Sequence, residues 1–427
     1  MIVVVVAVVV GVLVFVGPST KSSSPPPSSA TPTTTPPPAA PVAGSTTDVM
    51  QLAATMTHST PLDEVLPTSL LRSTISWVGV TLYGDGMSDP EPSPGSYDWS
   101  SLDARIHQVS ALNMPIVLKV FNAPGWMKAM DRPMVAVSPS HIQDFANLAV
   151  ATAKRYPQIH YFQIWNEMWG YRSSTGPWDY AGYTDLYNAV YRALKSYNPS
   201  LQVGGPYAPF PLATSTQPAS SLTGPWGSVD QNALDTVTYW LQHKAGADFL
   251  VVDGRTDEPT RIPSQPAAAT EVFATITRWI RSQTNLPIWW NEWYAESPQL
   301  GPSEWDAVSA EALLQLASSG AAFSNLYQAE YVNNLTAFPN LVKRHGIAPT
   351  PGLWLHGSST PTALAPVFQE LQGYLYGTSV HLYSPTSGVE ALSNGTHFVA
   401  VDVDGAIHTV SIDGQSLTLQ PWQIATG

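Results

Sequence analysis

Two stretches of this chain, YFQIWNEMWG at 161–170 and LPIWWNEWYA at 286–295, carry a short apolar run into the tripeptide Trp-Asn-Glu. Both runs read as buried strands, so each sets a glutamate, Glu167 or Glu292, where a strand leaves the core. Burying an unpaired charge is costly, and packing alone gives no reason to put a carboxylate there. Two carboxylates facing each other across about 5 to 5.5 Å are the device of retaining glycoside hydrolysis: one protonates the leaving oxygen while the other attacks the anomeric carbon. The roles demand different surroundings. The acid must titrate near the working pH, and the nucleophile must stay ionised under hydrogen bonds.

Such a pair works only if a fold brings the two strand ends together. Apolar runs recur at 50–58, 77–84, 115–126, 160–167, 201–207, 247–254, 286–292 and 321–328, which makes eight candidate strands with helical segments between them. In SPSHIQDFANLAVATAKRYP, Ser138 reads as N-cap, Pro139 as the first helical residue, and Pro157 lies just past the end. In DYAGYTDLYNAVYRALKSYNP, Tyr183, Leu186, Val190 and Leu194 form one stripe. Continuous apolar strands alternating with helices predict a parallel sheet covered on both faces, and eight units predict an α/β fold closed as a (β/α)8 TIM barrel. Active residues then gather at the C-terminal strand ends, where strands four and seven carry Glu167 and Glu292.

The neighbours of the glutamates add candidate substrate contacts. Asn166 can meet a sugar hydroxyl beside the reacting carbon, and Asn291 can orient Glu292. Strict strand alternation puts Trp165 and Trp290 on the inward face with the glutamates, as a dry floor that raises the acid's pKa. Asn122 and Trp126 follow strand three, Trp293 follows the second Trp-Asn-Glu, and Tyr327 ends strand eight. The competing reading of each glutamate is a buried ion pair, which the scarcity of Lys and Arg in the neighbouring sequence disfavours.

Composition narrows the partner. A formal charge of −13 with only 18 Lys and Arg, and no basic cluster, argues against nucleic acid. Abundant Trp and Tyr beside 11% charged residues suits stacking on a neutral oligosaccharide or polysaccharide. The ten His residues form neither His-x-His nor His-Glu-x-x-His, so no metal or other cofactor is expected in the chemistry, and a metal-dependent barrel hydrolase is disfavoured.

The ends of the chain differ from its middle. Residues 1–17 are apolar throughout and read as a signal or membrane anchor, and 18–47 as a Ser/Thr/Pro-rich spacer, so the rest is expected outside the cell, secreted or tethered to the membrane's outer face. Residues 48–361 form the predicted barrel, and 362–427 a connecting helix followed by an antiparallel β-sandwich module. Period-two strands there are punctuated by Asn394-Gly395, Asp404-Gly405 and Asp413-Gly414. In the segment Asp402-Val403-Asp404-Gly405 the glycine comes too early for a calcium loop, so it reads as a hairpin turn.

These residues carry a family resemblance. The passage GSYDWSSLDARIHQVSALNMPIVLKVFNAPGWM, the IWNE of strand four, the LQVGGPY of strand five and the IWWNEW of strand seven resemble glycoside hydrolase clan A, and within it family 39 and its β-xylosidase-like neighbours. The likeness spans about residues 75–380, and the C-terminal module is similar to that family's accessory sandwich. It implies Glu167 as acid/base and Glu292 as nucleophile. Two departures accompany it. Strand six ends in Asp253-Gly254-Arg255 where the group often has His-x-Tyr, so the nucleophile's support is either missing or supplied from elsewhere, with Tyr327 the candidate. The arginine common at the end of an early strand is also missing from GVTLYGDG. The expected function is a retaining O-glycoside hydrolase, possessing a two-glutamate double displacement; the alternative is a carbohydrate-binding or cell-wall-associated barrel without turnover.

Overall fold

The computed structural model describes residues 44–46, 50–56, 66–84, 87–131, 134–173, 175–256, 264–295, 301–327, 329–331, 352–355 and 360–427. Segment 1–17 and nearly all of the 18–47 spacer lie outside them. Everything below concerns the unit Pro41–Gly427.

All eight expected strands are present: β1 (Gln51–Thr55), β2 (Trp77–Thr81), β3 (Ile116–Val120), β4 (Tyr161–Ile164), β5 (Gln202–Phe210), β6 (Phe249–Arg255), β7 (Ile288–Tyr294) and β8 (Phe323–Leu326). Each pairs in parallel with the next, and β8 closes the ring on β1 with Phe323 opposite Gln51. The helices are α1 (Thr68–Thr74), α2 (Ser100–Ser110), α3 (Ile142–Arg155), α4 (Tyr180–Tyr197), α5 (Gln231–His243), α6 (Glu271–Gln283), α7 (Pro302–Ser318) and α8 (Leu364–Glu370). Helices α3 to α6 each turn a buried, largely apolar face inward. On α6 that stripe is Val272, Phe273, Ile276, Thr277 and Ile280, the spacing of one helical face. Helix α8 packs on both α1 and α7, with Gln369 donating to Ser73 at 2.9 Å, and so completes the helical layer as well as leading into the C-terminal module.

Local chemistry refines the predicted boundaries. Ser138 precedes a single 3-10 turn, Pro139–His141, and its side chain makes no capping bond, so α3 proper starts at Ile142. The caps of α4 and α5 are real: Asp179 accepts from Gly182 N at 2.8 Å and Asp230 from Asn232 N at 2.9 Å.

Inside the ring, aromatic side chains fill the lower layer. Trp289 stacks on Phe249 with centroids 3.7 Å apart and on Phe323 at 4.4 Å, while Trp77 meets Tyr161 edge-on at 4.4 Å. The barrel therefore has a solid apolar floor, and above it the lining turns polar with Thr55, Lys119, Gln163, Asn291 and Asn325.

The module is the expected antiparallel one. Strands β9 (Val380–Thr386), β10 (Val389–Ser393), β11 (Phe398–Asp402) and β14 (Ile424–Thr426) lie side by side, and β12 (His408–Ile412) pairs with β13 (Gln415–Leu419). Val389, Ala391, Phe398 and Ala400 of the sheet share a core with Val410, Ile412 and Leu419 of the hairpin. Asp413 and Gly414 both have positive φ, the pairing that the two-residue hairpin turn requires. One boundary moves. Gly44–Thr46, read as the end of the spacer, pairs antiparallel with β9 as the outermost strand of the sheet. Among the described residues no helix is long and apolar enough to cross a membrane.

Candidate active site

The mouth of the barrel is built by breaks in strand regularity. On β7 the pairing with β6 shifts between Trp290 and Glu292, so Asn291 is an extra residue and the inward-outward alternation is reset. Asn291 and Glu292 consequently both face the interior: Asn291 donates to Gln163 of β4, and Glu292 reaches across to β3 and β5. Tyr207 lies at a second shift, between Pro206 and Ala208 on β5, and has φ of 52°. Beyond β4, Trp165 (φ 72°), Glu167 (φ 43°) and Met168 (φ 55°) take left-handed conformations that side chains avoid unless their surroundings impose them. Backbone strain is thus concentrated where the strands deliver their carboxylates.

The two glutamates sit in unlike surroundings. Glu292 is 4% exposed and receives three donors. The Tyr207 hydroxyl and the Lys119 ammonium, the latter at 3.3 Å, donate to its Oε2, and the Tyr294 hydroxyl donates to its Oε1. Lys119 Nζ also lies 3.4 Å from the Tyr207 oxygen, so the three groups brace one another. Such an array holds the Glu292 carboxyl oxygens in place from three sides. Glu167 has weaker partners, the Asn166 amide at 3.5 Å and the Arg172 guanidinium at 3.9 Å. Burial, and then the charge of Glu292, push the Glu167 carboxyl up to about 7, against smaller opposing effects of Arg172, Lys119 and Arg255. Arg172 is itself seated between Trp169 and Trp178, 5.1 Å from each ring. A third carboxyl, Asp253, is buried nearby and raised well above its ordinary range, by burial first and then by the charges of Glu167 and Glu292.

The remaining candidates divide. Asn166 is nearly buried beside Glu167, with an Oδ1 that meets no hydrogen-bond donor. Tyr327 is part-buried, its ring 6.0 Å from that of Tyr294, and its phenol is pushed upward by burial and then by the charges of Glu292 and Glu167. It makes no hydrogen bond to Glu292 among the described contacts, so the expected support of that carboxylate comes from Tyr207, Tyr294 and Lys119 instead. Asn122 is buried just past β3, where its Oδ1 accepts from Ala123 N at 2.8 Å. Trp126 is held in the loop after β3 by a 2.8 Å bond to Glu91 O and by the edge of His141.

The tryptophans require correction. Trp290 and Trp293 do not line the mouth. Both are buried on the helical side of β7, against Phe273 of α6, with Trp290 bonded to Thr277 and Trp293 to Ser324. Trp165 likewise packs on Phe121, Phe145 and Tyr171. Strict alternation fails because the extra residue Asn291 reverses the parity of β7, and because Trp165 leaves β4 with positive φ. Trp290→Ala is therefore expected to act as a core deletion costing about 3 to 5 kcal/mol. Denaturant unfolding checks this, and a variant as stable as the wild type would contradict the placement.

The ion-pair reading also needs revision, since Glu292 is paired with Lys119. Basic residues are scarce along the sequence near each Trp-Asn-Glu, but β3 supplies one across the barrel. The sequence contained a signal for it: a lysine as the fourth residue of the five-residue strand IVLKV, every position of which is buried. Tyr207, Tyr294, Arg172 and Asp253 were likewise not singled out as site residues by sequence reasoning.

Solved structures share this (β/α)8 barrel with its accessory module, and among them are members of the family that the sequence resembles. The monomeric beta-xylosidase of Caulobacter crescentus is similar at 15% identity and a TM-score of 0.56, covering 83% of this chain and 73% of that one. A family 39 glycoside hydrolase of Bacteroides cellulosilyticus matches at 15% identity and 0.55, covering 86% and 73%. A GH30 endoxylanase of Clostridium papyrosolvens matches at 13% identity and 0.55, covering 89% and 96%. No protein-family model and no curated protein sequence matches the chain. At these identities the likeness is one of fold.

Proposed function

We propose that this chain is a retaining glycoside hydrolase in which Glu167 is the acid/base and Glu292 the nucleophile. The observation that carries this reading is the contrast between the two carboxyls: one raised to about 7 and one held by three donors in the same barrel mouth. In the first step Glu167 gives its proton to the glycosidic oxygen as that C–O bond breaks, and a Glu292 oxygen bonds to the anomeric carbon. In the second, ionised Glu167 takes a proton from water whose oxygen attacks the same carbon and releases Glu292.

The surroundings fit these steps. Tyr294 and Lys119 fix the attacking carboxylate, which limits the motion needed to reach the transition state. The unmatched Oδ1 of Asn166 offers an acceptor to a sugar hydroxyl. Asp253, its carboxyl raised by burial and then by the charges of Glu167 and Glu292, stands where the His-x-Tyr pattern of strand six is absent. The low content of charged residues and the partly buried tyrosines favour a neutral sugar. The family 39 resemblance makes a β-linked xyloside the first candidate, and the apolar segment at 1–17 with its Pro-rich spacer favours an exported protein acting on a polysaccharide or its fragments.

The experiment is hydrolysis of a panel of aryl glycosides and xylo-oligosaccharides by the full chain, beside Glu167→Gln and Glu292→Gln. Turnover of a sugar that both substitutions abolish or cripple supports the proposal. Turnover indifferent to both overturns the assignment, and glycan binding without turnover moves the chain to the binding reading.

A further inference from the structure

A second group of chemistry-bearing residues lies in the C-terminal module. Asp402 ends β11, Asp404 stands in the turn that follows, and His408 opens β12. One donor atom from each lies within 4.8 Å of the others. We propose that Asp402, Asp404 and His408 bind a divalent transition-metal ion of the zinc class, which ties the β12–β13 hairpin to the five-stranded sheet.

The buried carboxylate carries the argument. Asp402 is 0% exposed. Its Oδ1 is fixed by the N–H groups of Gly405 at 2.8 Å and Trp422 at 2.9 Å. Its Oδ2 has no hydrogen-bond partner and points into the cluster, 3.5 Å from His408 Nε2. That same nitrogen lies 2.8 Å from Asp404 Oδ1, which also accepts from Ala406 N at 2.9 Å. An imidazolium Nε2 carries a single proton. Engaged with Asp404, it leaves the oxygen of a fully buried carboxylate unanswered, at a cost comparable to a lost charged hydrogen bond. A cation satisfies all three donors at once.

Geometry and ligand type select the ion. Bonds of 2.0 to 2.1 Å in a tetrahedron separate the ligand atoms by about 3.3 Å, and the observed 2.8 and 3.5 Å fall on either side of that value. Imidazole nitrogen with two carboxylate oxygens suits zinc, whereas calcium takes six to eight oxygens. The backbone closes in on one side: Gly388 has φ of +84°, and a Cβ there would stand 2.1 Å from Asp404 Oδ2 and 2.7 Å from His408 Nε2. The benefit is structural. The chain has no cysteine, so no disulfide can staple this small module, and a metal clip across β11, its turn and β12 supplies the cross-link.

The test uses the full chain, stripped with chelator and titrated near neutral pH with Zn2+ alone and, separately, Ca2+ alone. Calorimetry gives stoichiometry, and thermal melts give stabilisation. The expected result is one Zn2+ per chain with a rise in Tm, weaker or no Ca2+ binding, and affinity lowered at least about tenfold in His408→Gln and in Asp402→Asn. His408→Gln alters a partly exposed side chain and serves if Asp402→Asn does not fold. Absence of Zn2+ binding, Zn2+ binding untouched by the substitutions, or equal preference for Ca2+ would each overturn the proposal.

Discussion

Glu292→Gln is expected to lower kcat on aryl glycosides on the order of 10^5-fold, the scale seen when a covalent nucleophile is removed from a site that otherwise remains assembled. The amide retains the volume of the carboxylate and can still accept from one tyrosine, but it cannot form the glycosyl ester. It also leaves Lys119 buried without its counter-charge beside Tyr207, which is expected to cost about 3 kcal/mol of stability. Circular dichroism therefore accompanies the kinetics, so that loss of turnover is measured on folded protein. A folded variant with kcat within tenfold of the wild type would remove Glu292 from the covalent step.

Glu167→Gln is expected to behave differently, and the difference depends on the leaving group. Removing a general acid costs about 10^2- to 10^4-fold where the departing oxygen needs a proton, and less where an activated phenolate departs unaided. The same residue sets a pH limb. Because its carboxyl is raised to about 7, by burial and then by Glu292, its protonated, working form persists below that value and is lost above it. In the wild type kcat/KM should hold up to pH near 7 and then fall tenfold per unit, and in Glu167→Gln that fall should be absent. An unchanged alkaline limb in the variant would assign it to another group.

Much of this architecture could be read from residue order, for reasons that particular elements make plain. The parallel strands are buried on both faces, so they stand out as largely apolar runs such as the FLVV that opens β6, and the glutamates are visible because they interrupt the ends of two of them. Side-chain direction was less legible. It depends on an integer count along the strand, and one extra residue at Asn291 turns Trp290 away from the mouth and Glu292 into it. The partners of Glu292 were hidden for another reason. Lys119 and Tyr207 come from two other strands and meet Glu292 only when the barrel closes, whereas Tyr294 stands two residues along β7 from it, so sequence neighbourhood suggested a site poor in cations when in fact one lies 3.3 Å from the nucleophile. The module shows the same limit in smaller compass: Asp404-Gly405, read as a hairpin turn, is a bend between β11 and β12, which do not pair with each other, and the approach of His408 to Asp402 depends on where β12 returns.

The most direct test of the two-glutamate account is the stereochemistry of the first product. Proton NMR of wild-type hydrolysis, followed from the earliest turnover before mutarotation, distinguishes the anomers of the released sugar. A double displacement through Glu292 predicts that the first-formed product retains the substrate's anomeric configuration. An inverted first product would mean that water attacks directly, and would contradict the role assigned to Glu292.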